Sequence, residues 1–314
     1  MTTVPFIVNV DSTTNLNVWL KKERSTLDTK LDQFGAVLIR GASNMTEECF
    51  QEVVSVYCGQ ALEYMYRSTP RTHVGHNVYT ATEYPPGLTI PFHSENAFQR
   101  QWPLVLLFCC LLPAENGGGQ TPLVDIEGVT QRIDSAVRRR FLEKKVMYIR
   151  NYNPRIDLRW QTVFQTDSKA EVEAICKKRD IQFEWTGHGL RTRQVCQGLA
   201  KNPHTEKLVW FNQAHLFHPS SLDEKSRQIM LEMFKEEDLP RNARFGDDSP
   251  LDEQELAHIR AAYEAEPGHT PWHKGDILFV DNMRMAHGRT PYKGLRRVLV
   301  AMSGLHSPDV GKLD

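Results

Sequence analysis

Residues 91–125 read PFHSENAFQRQWPLVLLFCCLLPAENGGGQTPLVD, and three signals follow one another within them. His93 and Glu95 stand two apart, so an extended backbone would point both side chains to one face. Residues 104–112 are then apolar without interruption between Pro103 and Pro113; that length and the flanking prolines suit a strand buried on both faces better than a helix. Gly117, Gly118 and Gly119 make a tight turn ahead of Thr121, and with no Gly-Lys-Ser/Thr behind them they are not a phosphate loop. Two metal ligands on one strand, joined by one distant histidine, would form the 2-His-1-carboxylate triad of non-heme iron sites. A lone His-x-Glu arises often by chance, so the weight falls on the rest of the chain.

Working outward, residues 16–34 carry apolar side chains at helical spacing and stop at Gly35, which suits a helix end. Residues 35–41, GAVLIRG, read as a short buried strand between glycines. Asn44 or Thr46 would cap a second helix, TEECFQEVVSVY. Residues 75–83 alternate as a strand does, up to the break at Tyr84-Pro85-Pro86-Gly87. Helical patterns at 129–145, 169–179, 223–236 and 252–265 precede a return to strands at 276–281 and 296–302. Strands at both ends and a helix-rich stretch at about 129–270 do not fit a regular alternating α/β sheet. The expected architecture is mainly β with α insertions, a single domain over 1–314: a double-stranded β-helix (jelly-roll) core with a helical insert and flanking helices.

Composition narrows the class of function. With 40% hydrophobic and 25% charged residues the chain reads as a globular protein with a sizeable core. Its 38 basic and 39 acidic residues leave a formal charge of -1, which argues against a nucleic-acid surface or an acidic-lipid partner. The best apolar run, 104–112, is half the ~18 residues that a membrane span needs. The first residues, MTTVPFIVNVDSTTN, lack the basic and apolar regions of a signal peptide. None of the six cysteines (49, 58, 109, 110, 176 and 196) lies in a C-x-x-C spacing, so a zinc ribbon is not expected and the compartment reads as a reducing cytoplasm.

A third ligand is on offer far downstream. His287 follows the apolar strand 276–281 and sits beside Gly288, with Thr290-Pro291 after it. Arg296 and Arg297 then open a strand that is otherwise apolar, where an inward arginine needs an anionic partner. A dicarboxylate would provide one through a bidentate fork. The other His-x-Glu, His204-Thr205-Glu206, follows Asn202-Pro203 and precedes a strand-like KLVWF, so it reads as a hairpin turn. His215 and His218 read as structural or pocket histidines rather than ligands. Arg71, Arg191, Arg193, Asn212 and Gln213 are candidates for a substrate pocket.

Taken together, His93-x-Glu95, Gly-Gly-x-Thr at 118–121, His287 and an arginine ten residues later resemble the taurine dioxygenase (TauD/TfdA) superfamily. Within it the chain is most similar to the syringomycin-type aspartyl hydroxylase branch, through YRSTPRT (66–72), VYTATEYP (78–85), LRTRQVCQ (190–197) and WFNQAHLFH (210–218). The resemblance implies an Fe(II)/2-oxoglutarate-dependent dioxygenase on a jelly-roll fold. It implies His93, Glu95 and His287 as catalytic iron ligands, with dioxygen as second co-substrate. It implies Thr121 and Arg297 as holders of the far carboxylate of 2-oxoglutarate. Arg296, on the opposite strand face, is the less favoured anchor, and a one-residue shift of register would exchange the two. Related halogenases carry Ala or Gly in place of the carboxylate, so Glu95 implies oxygen transfer; a glutamate in this place also occurs in clavaminate synthase-like members. Taurine dioxygenase grips its substrate's acid group with an arginine four residues after the 2-oxoglutarate arginine, where this chain has Ala301.

The activity so implied is hydroxylation of an unactivated C–H of an amino acid, free or presented on a peptidyl carrier protein, in specialised-metabolite, antibiotic or nonribosomal peptide biosynthesis. A homo-oligomer is a family-level expectation. Two other readings stay open: an oxygenase that hydroxylates, desaturates or epoxidises a free amino acid or related small molecule, and a jelly roll that binds metal or ligand without turnover.

Overall fold

The computed structural model of the protein describes residues 4–308 apart from Ser43, Met65, Arg67, Ser68, Arg155 and His188. Its centre is the apolar run, which forms an eleven-residue strand, Trp102–Leu112. Antiparallel neighbours flank it on both sides, Ile277–Asp281 and Arg297–His306. Outward from these, Ala36–Arg40 and Phe6–Asn9 extend the sheet at one edge, and Val78–Thr80 and His73–Gly75 at the other, making seven strands.

Alternation along the central strand sends its side chains into two separate cores. Leu107 and Cys109 join Val37, Phe279 and Leu299 under the helices Leu16–Phe34 and Glu47–Cys58, which contribute Leu20, Leu27, Leu31, Phe50 and Val53. Leu106, Phe108 and Cys110 join Leu278, Val298 and Val300 on the other face, against Leu123 and Met285. Those last two belong to a second, three-stranded antiparallel sheet, ordered Ile90–His93, Met285–Arg289, Leu123–Asp125. Two sheets face to face, with helices outside the larger one, match the expected mainly-β jelly roll with flanking helices.

The helix boundaries follow local chemistry. Asn15 caps the first helix by accepting from the Val18 N–H, and Gly35 closes it at φ 72°. Thr46, of the two candidates, caps the second by accepting from the Cys49 N–H. The helix expected at 129–145 is two, Ile126–Arg132 and Ser135–Lys144, because Ile133 is extended and Asp134 starts a new cap on the Ala136 N–H. The insert also contains more sheet than its pattern suggested. Arg241–Phe245, Val146–Tyr152, Gly189–Cys196 and Gln182–Thr186 form a four-stranded antiparallel sheet within it. His204 lies in a turn between the paired strands Leu199–Lys201 and Leu208–Trp210, where Asn202 Oδ1 accepts from the His204 and Thr205 N–H groups. No helix among the described residues is long and apolar enough to cross a membrane.

Leu107 is fully buried beneath both helices. Leu107→Ala is expected to cost about 2–5 kcal/mol of stability, the range for a large-to-small change in a closed core. The shift of the urea unfolding midpoint measures it; a midpoint unchanged from wild type would mean that this layer is not the packed core described.

Candidate active site

His93 and His287 come from adjacent strands of the smaller sheet and stand opposite each other in register, ring centroids 4.4 Å apart. The Phe108 ring, from the central strand of the larger sheet, lies 5.2 Å from that of His287. Glu95 needs a different support, because the strand ends at His93. Its backbone is held by one side chain: Asn282 Oδ1 accepts from the Glu95 N–H at 2.7 Å, and Asn282 Nδ2 donates to the Glu95 carbonyl at 2.9 Å and to the Pro103 carbonyl at 2.8 Å. Gln213 Nε2 donates to the Ser94 carbonyl at 2.7 Å, and His215 Nε2 meets the Phe92 carbonyl at 3.2 Å. Each residue from 92 to 95 except His93 is therefore fixed by a side chain from elsewhere.

One side-chain ligand atom from each of His93, Glu95 and His287 lies within 4.8 Å of the others, and Glu95 Oε2 is 4.0 Å from His287 Nε2. Burial pushes His287 well below the ordinary histidine value of 6.5, with His93 and Arg71 adding to the effect. Burial likewise lowers His93, against the opposing charge of Glu95. Both rings are therefore neutral near pH 7, the form that binds metals. His93 Nδ1 lies 2.9 Å from the Pro91 carbonyl, which can only accept, so the ring's lone pair sits on Nε2. Two neutral imidazoles and a carboxylate at this spacing suit a divalent first-row metal.

The cavity beside these groups is lined by His93, His287, Thr121, Arg71, Arg289 and Arg296 among others. Thr121 is buried, and its hydroxyl oxygen accepts from Trp272 Nε1 at 3.3 Å. Arg289 is occupied in holding the turn before the sheet, donating to the carbonyls of Tyr84, Pro85 and Leu88. Arg296 reaches the cavity with Nε donating to the Gly119 carbonyl at 2.8 Å. Burial lowers its pKa to about 10, still cationic at neutral pH. A Cβ on Gly119, at φ 64°, would come within 2.6 Å of Arg296 Cδ, so the glycine turn makes room for this arginine.

The arginine expected in that place does not line the cavity. Arg297 is half-exposed outside the cavity and ion-paired with Glu47. Side chains alternate along the strand, and Val298 and Val300 face the smaller sheet while Leu299 and Ala301 face the helices. Arg296 is in step with the first set, Arg297 with the second. Of the pocket candidates, Arg71 is in the cavity, its Nη2 2.8 Å from Glu95 Oε2. Gln213 serves the Ser94 backbone. Asn212 binds the Gly198 carbonyl and the Ala214 N–H, Arg191 pairs with Asp238, and Arg193 lines grooves on the insert away from the three ligands. His218 is bonded to Ser220. A larger cavity, about 550 Å³, lies beside Gln99, Arg179 and Leu305 and contains none of the three.

Comparison with known proteins gives one consistent result. The family model described as "Taurine catabolism dioxygenase TauD, TfdA family" matches residues 7–303. The chain is 40% identical to the dapdiamide synthesis protein DdaC of Enterobacter agglomerans over 277 residues, 88% of this chain and 84% of the relative. It is 29% identical to a clavaminate synthase-like protein of Arabidopsis thaliana over 295 residues, 90% of this chain and 86% of that protein. Among solved structures, an asparagine oxygenase in complex with Fe(II), 2S,3S-3-hydroxyasparagine and succinate superposes with a TM-score of 0.57 at 11% identity, covering 95% of this chain and 93% of that one.

Asn282 is fully buried and satisfies three backbone groups, two of Glu95 and one of Pro103. Asn282→Ala is expected to lower stability by about 1–3 kcal/mol, the cost of orphaning buried polar groups. Thermal unfolding of the metal-free protein checks this; an unshifted midpoint would show that the segment relaxes to find other partners.

Proposed function

The chain belongs to the TauD/TfdA family of dioxygenases, and we propose that it hydroxylates an unactivated C–H bond of an amino-acid-derived substrate at a centre formed by His93, Glu95 and His287. Its enzyme class uses Fe(II), with 2-oxoglutarate and dioxygen as co-substrates. When bound, these supply the oxidising chemistry: one oxygen atom goes to the substrate as its hydroxyl, the other to succinate, and carbon dioxide leaves. The single observation that carries the residue assignment is the convergence of two neutral imidazoles and a carboxylate within 4.8 Å, beside a cavity lined by Arg296 and the buried Thr121.

The chain's own residues divide the work. His93, Glu95 and His287 would hold the metal, and the adjoining cavity would take the 2-oxo acid and dioxygen. Arg296, with Thr121 beside it, would take the far carboxylate of 2-oxoglutarate in a charge-assisted pair sheltered from water. The apolar walls, Phe108 and Ile90, keep bulk water from the reacting atoms. Glu95 as third ligand supports oxygen transfer over halogenation, since no vacant position for a halide is left where the carboxylate sits.

The substrate's own acid group has no cationic grip on the strand after the anchor. The position four residues past Arg296 is Val300, and four past Arg297 is Ala301; both are apolar and buried. This supports a substrate whose carboxyl is already masked, as in a thioester on a peptidyl carrier protein, and a relative named for dapdiamide synthesis supports an assembly pathway built on amino acids.

Two measurements test the reading. His287→Ala is expected to abolish Fe(II)-dependent release of succinate from 2-oxoglutarate, and turnover at the wild-type rate would remove the iron assignment. Arg296→Gln is expected to raise the KM for 2-oxoglutarate roughly 10–100-fold, the value of a lost charge-assisted hydrogen bond, while Arg297→Gln leaves it unchanged. Offering an aminoacyl carrier protein and the free amino acids side by side decides the presentation: efficient turnover of a free amino acid would rule out tethering.

A further inference from the structure

Glu95 has one more side-chain torsion than an aspartate in its place would have, and the rotation of its carboxylate is broad. A ligand free to swing loses rotamer entropy on binding, and one that chelates through both oxygens takes a position the co-substrates need. A neighbour removes that freedom here. Arg71 Nη2 donates to Glu95 Oε2 at 2.8 Å, and the same oxygen lies 4.0 Å from His287 Nε2. The two side chains are 3% and 4% exposed, so water screens the pair little. The guanidinium is fixed in turn: its carbon lies 4.5 Å from the centroid of the Tyr64 ring, and Nη2 reaches Thr82 Oγ1 at 3.3 Å.

We infer that Arg71 is a positioning residue, fixing the Glu95 carboxylate for a metal that Glu95 would hold together with His93 and His287. The inference rests on the reading of Glu95 as an iron ligand. Simple electrostatics oppose it, because a cation beside a divalent metal repels it and competes for the carboxylate. Pre-orientation and repulsion therefore predict opposite signs when Arg71 is replaced, and the sign is measurable without any substrate.

The experiment titrates Mn(II) alone into the metal-free protein and follows free Mn(II) by electron paramagnetic resonance, with thermal midpoints of the metal-free proteins as a control for folding. Arg71→Met is expected to weaken Mn(II) binding about 10–100-fold, as the loss of outer hydrogen bonds to metal ligands does elsewhere. Arg71→Lys keeps the charge and should fold even where the methionine variant does not. Its point-like ammonium lacks the planar fork, so it is expected to remain about tenfold weaker than wild type. Equal or tighter binding in a folded Arg71 variant would overturn the inference. His287→Ala separates the two ideas: if it loses Mn(II) while the Arg71 variants keep it, only the role of Arg71 falls, and if it also binds like wild type, the metal centre itself is misassigned.

Discussion

A strand that is apolar on both faces has to be covered twice, and the architecture follows from that one requirement. Trp102–Leu112 gathers helices on one side and the smaller sheet on the other. The smaller sheet is thereby pressed against Phe108, and it is this sheet that carries His93 and His287 on neighbouring strands. Two histidines nearly two hundred residues apart in the chain meet because their strands share a hydrogen-bonded ladder, and the ladder is placed by hydrophobic burial beneath it. The convergence of these candidate ligands is a by-product of how the core is closed.

Much of this was legible in the residues because the signals were local and strong. The run of apolar residues between prolines, the stop at Gly35 and the period of the first helix each depend on a few neighbours in sequence. What was not legible depended on distant partners. Choosing between Arg296 and Arg297 needs to know which strand face meets the smaller sheet, and two apolar faces look alike in sequence. The strand Val146–Tyr152 escaped notice because Arg150 and Asn151 interrupt its apolar pattern; Arg150 is nevertheless buried beside the Tyr66 and Tyr152 rings. Asn282 carried no signal at all: an asparagine after a strand reads as a turn residue until its three backbone partners are seen.

The insert between the sheets does more than lengthen the chain. Gln213 and His215 belong to it, and both reach the main chain of the segment that bears His93 and Glu95. His215 is itself locked, stacked on Tyr263 with ring centroids 4.6 Å apart, and burial pushes its pKa down to about 3, so it acts as a neutral hydrogen-bonding strut. Changes within the insert can therefore reach His93 and Glu95 through backbone position alone, without touching either side chain or lining the cavity.

The side-chain amide of Asn282 stands in for a strand that is not there. Where the ladder stops at His93, it offers Glu95 the donor and the acceptor that a neighbouring backbone would have offered, and a second donor to Pro103. A real strand would have to run on beside Glu95 and would wall in that side of the ligand. A single side chain satisfies the same two groups and then ends, so the chain beyond Glu95 is released from pleated geometry at once. The six residues from Asn96 to Gln101 are thus free to turn, carrying Phe98 into the insert's core before Trp102 begins the central strand. The ligand position and the shape of the wall next to it are in this way separately adjustable.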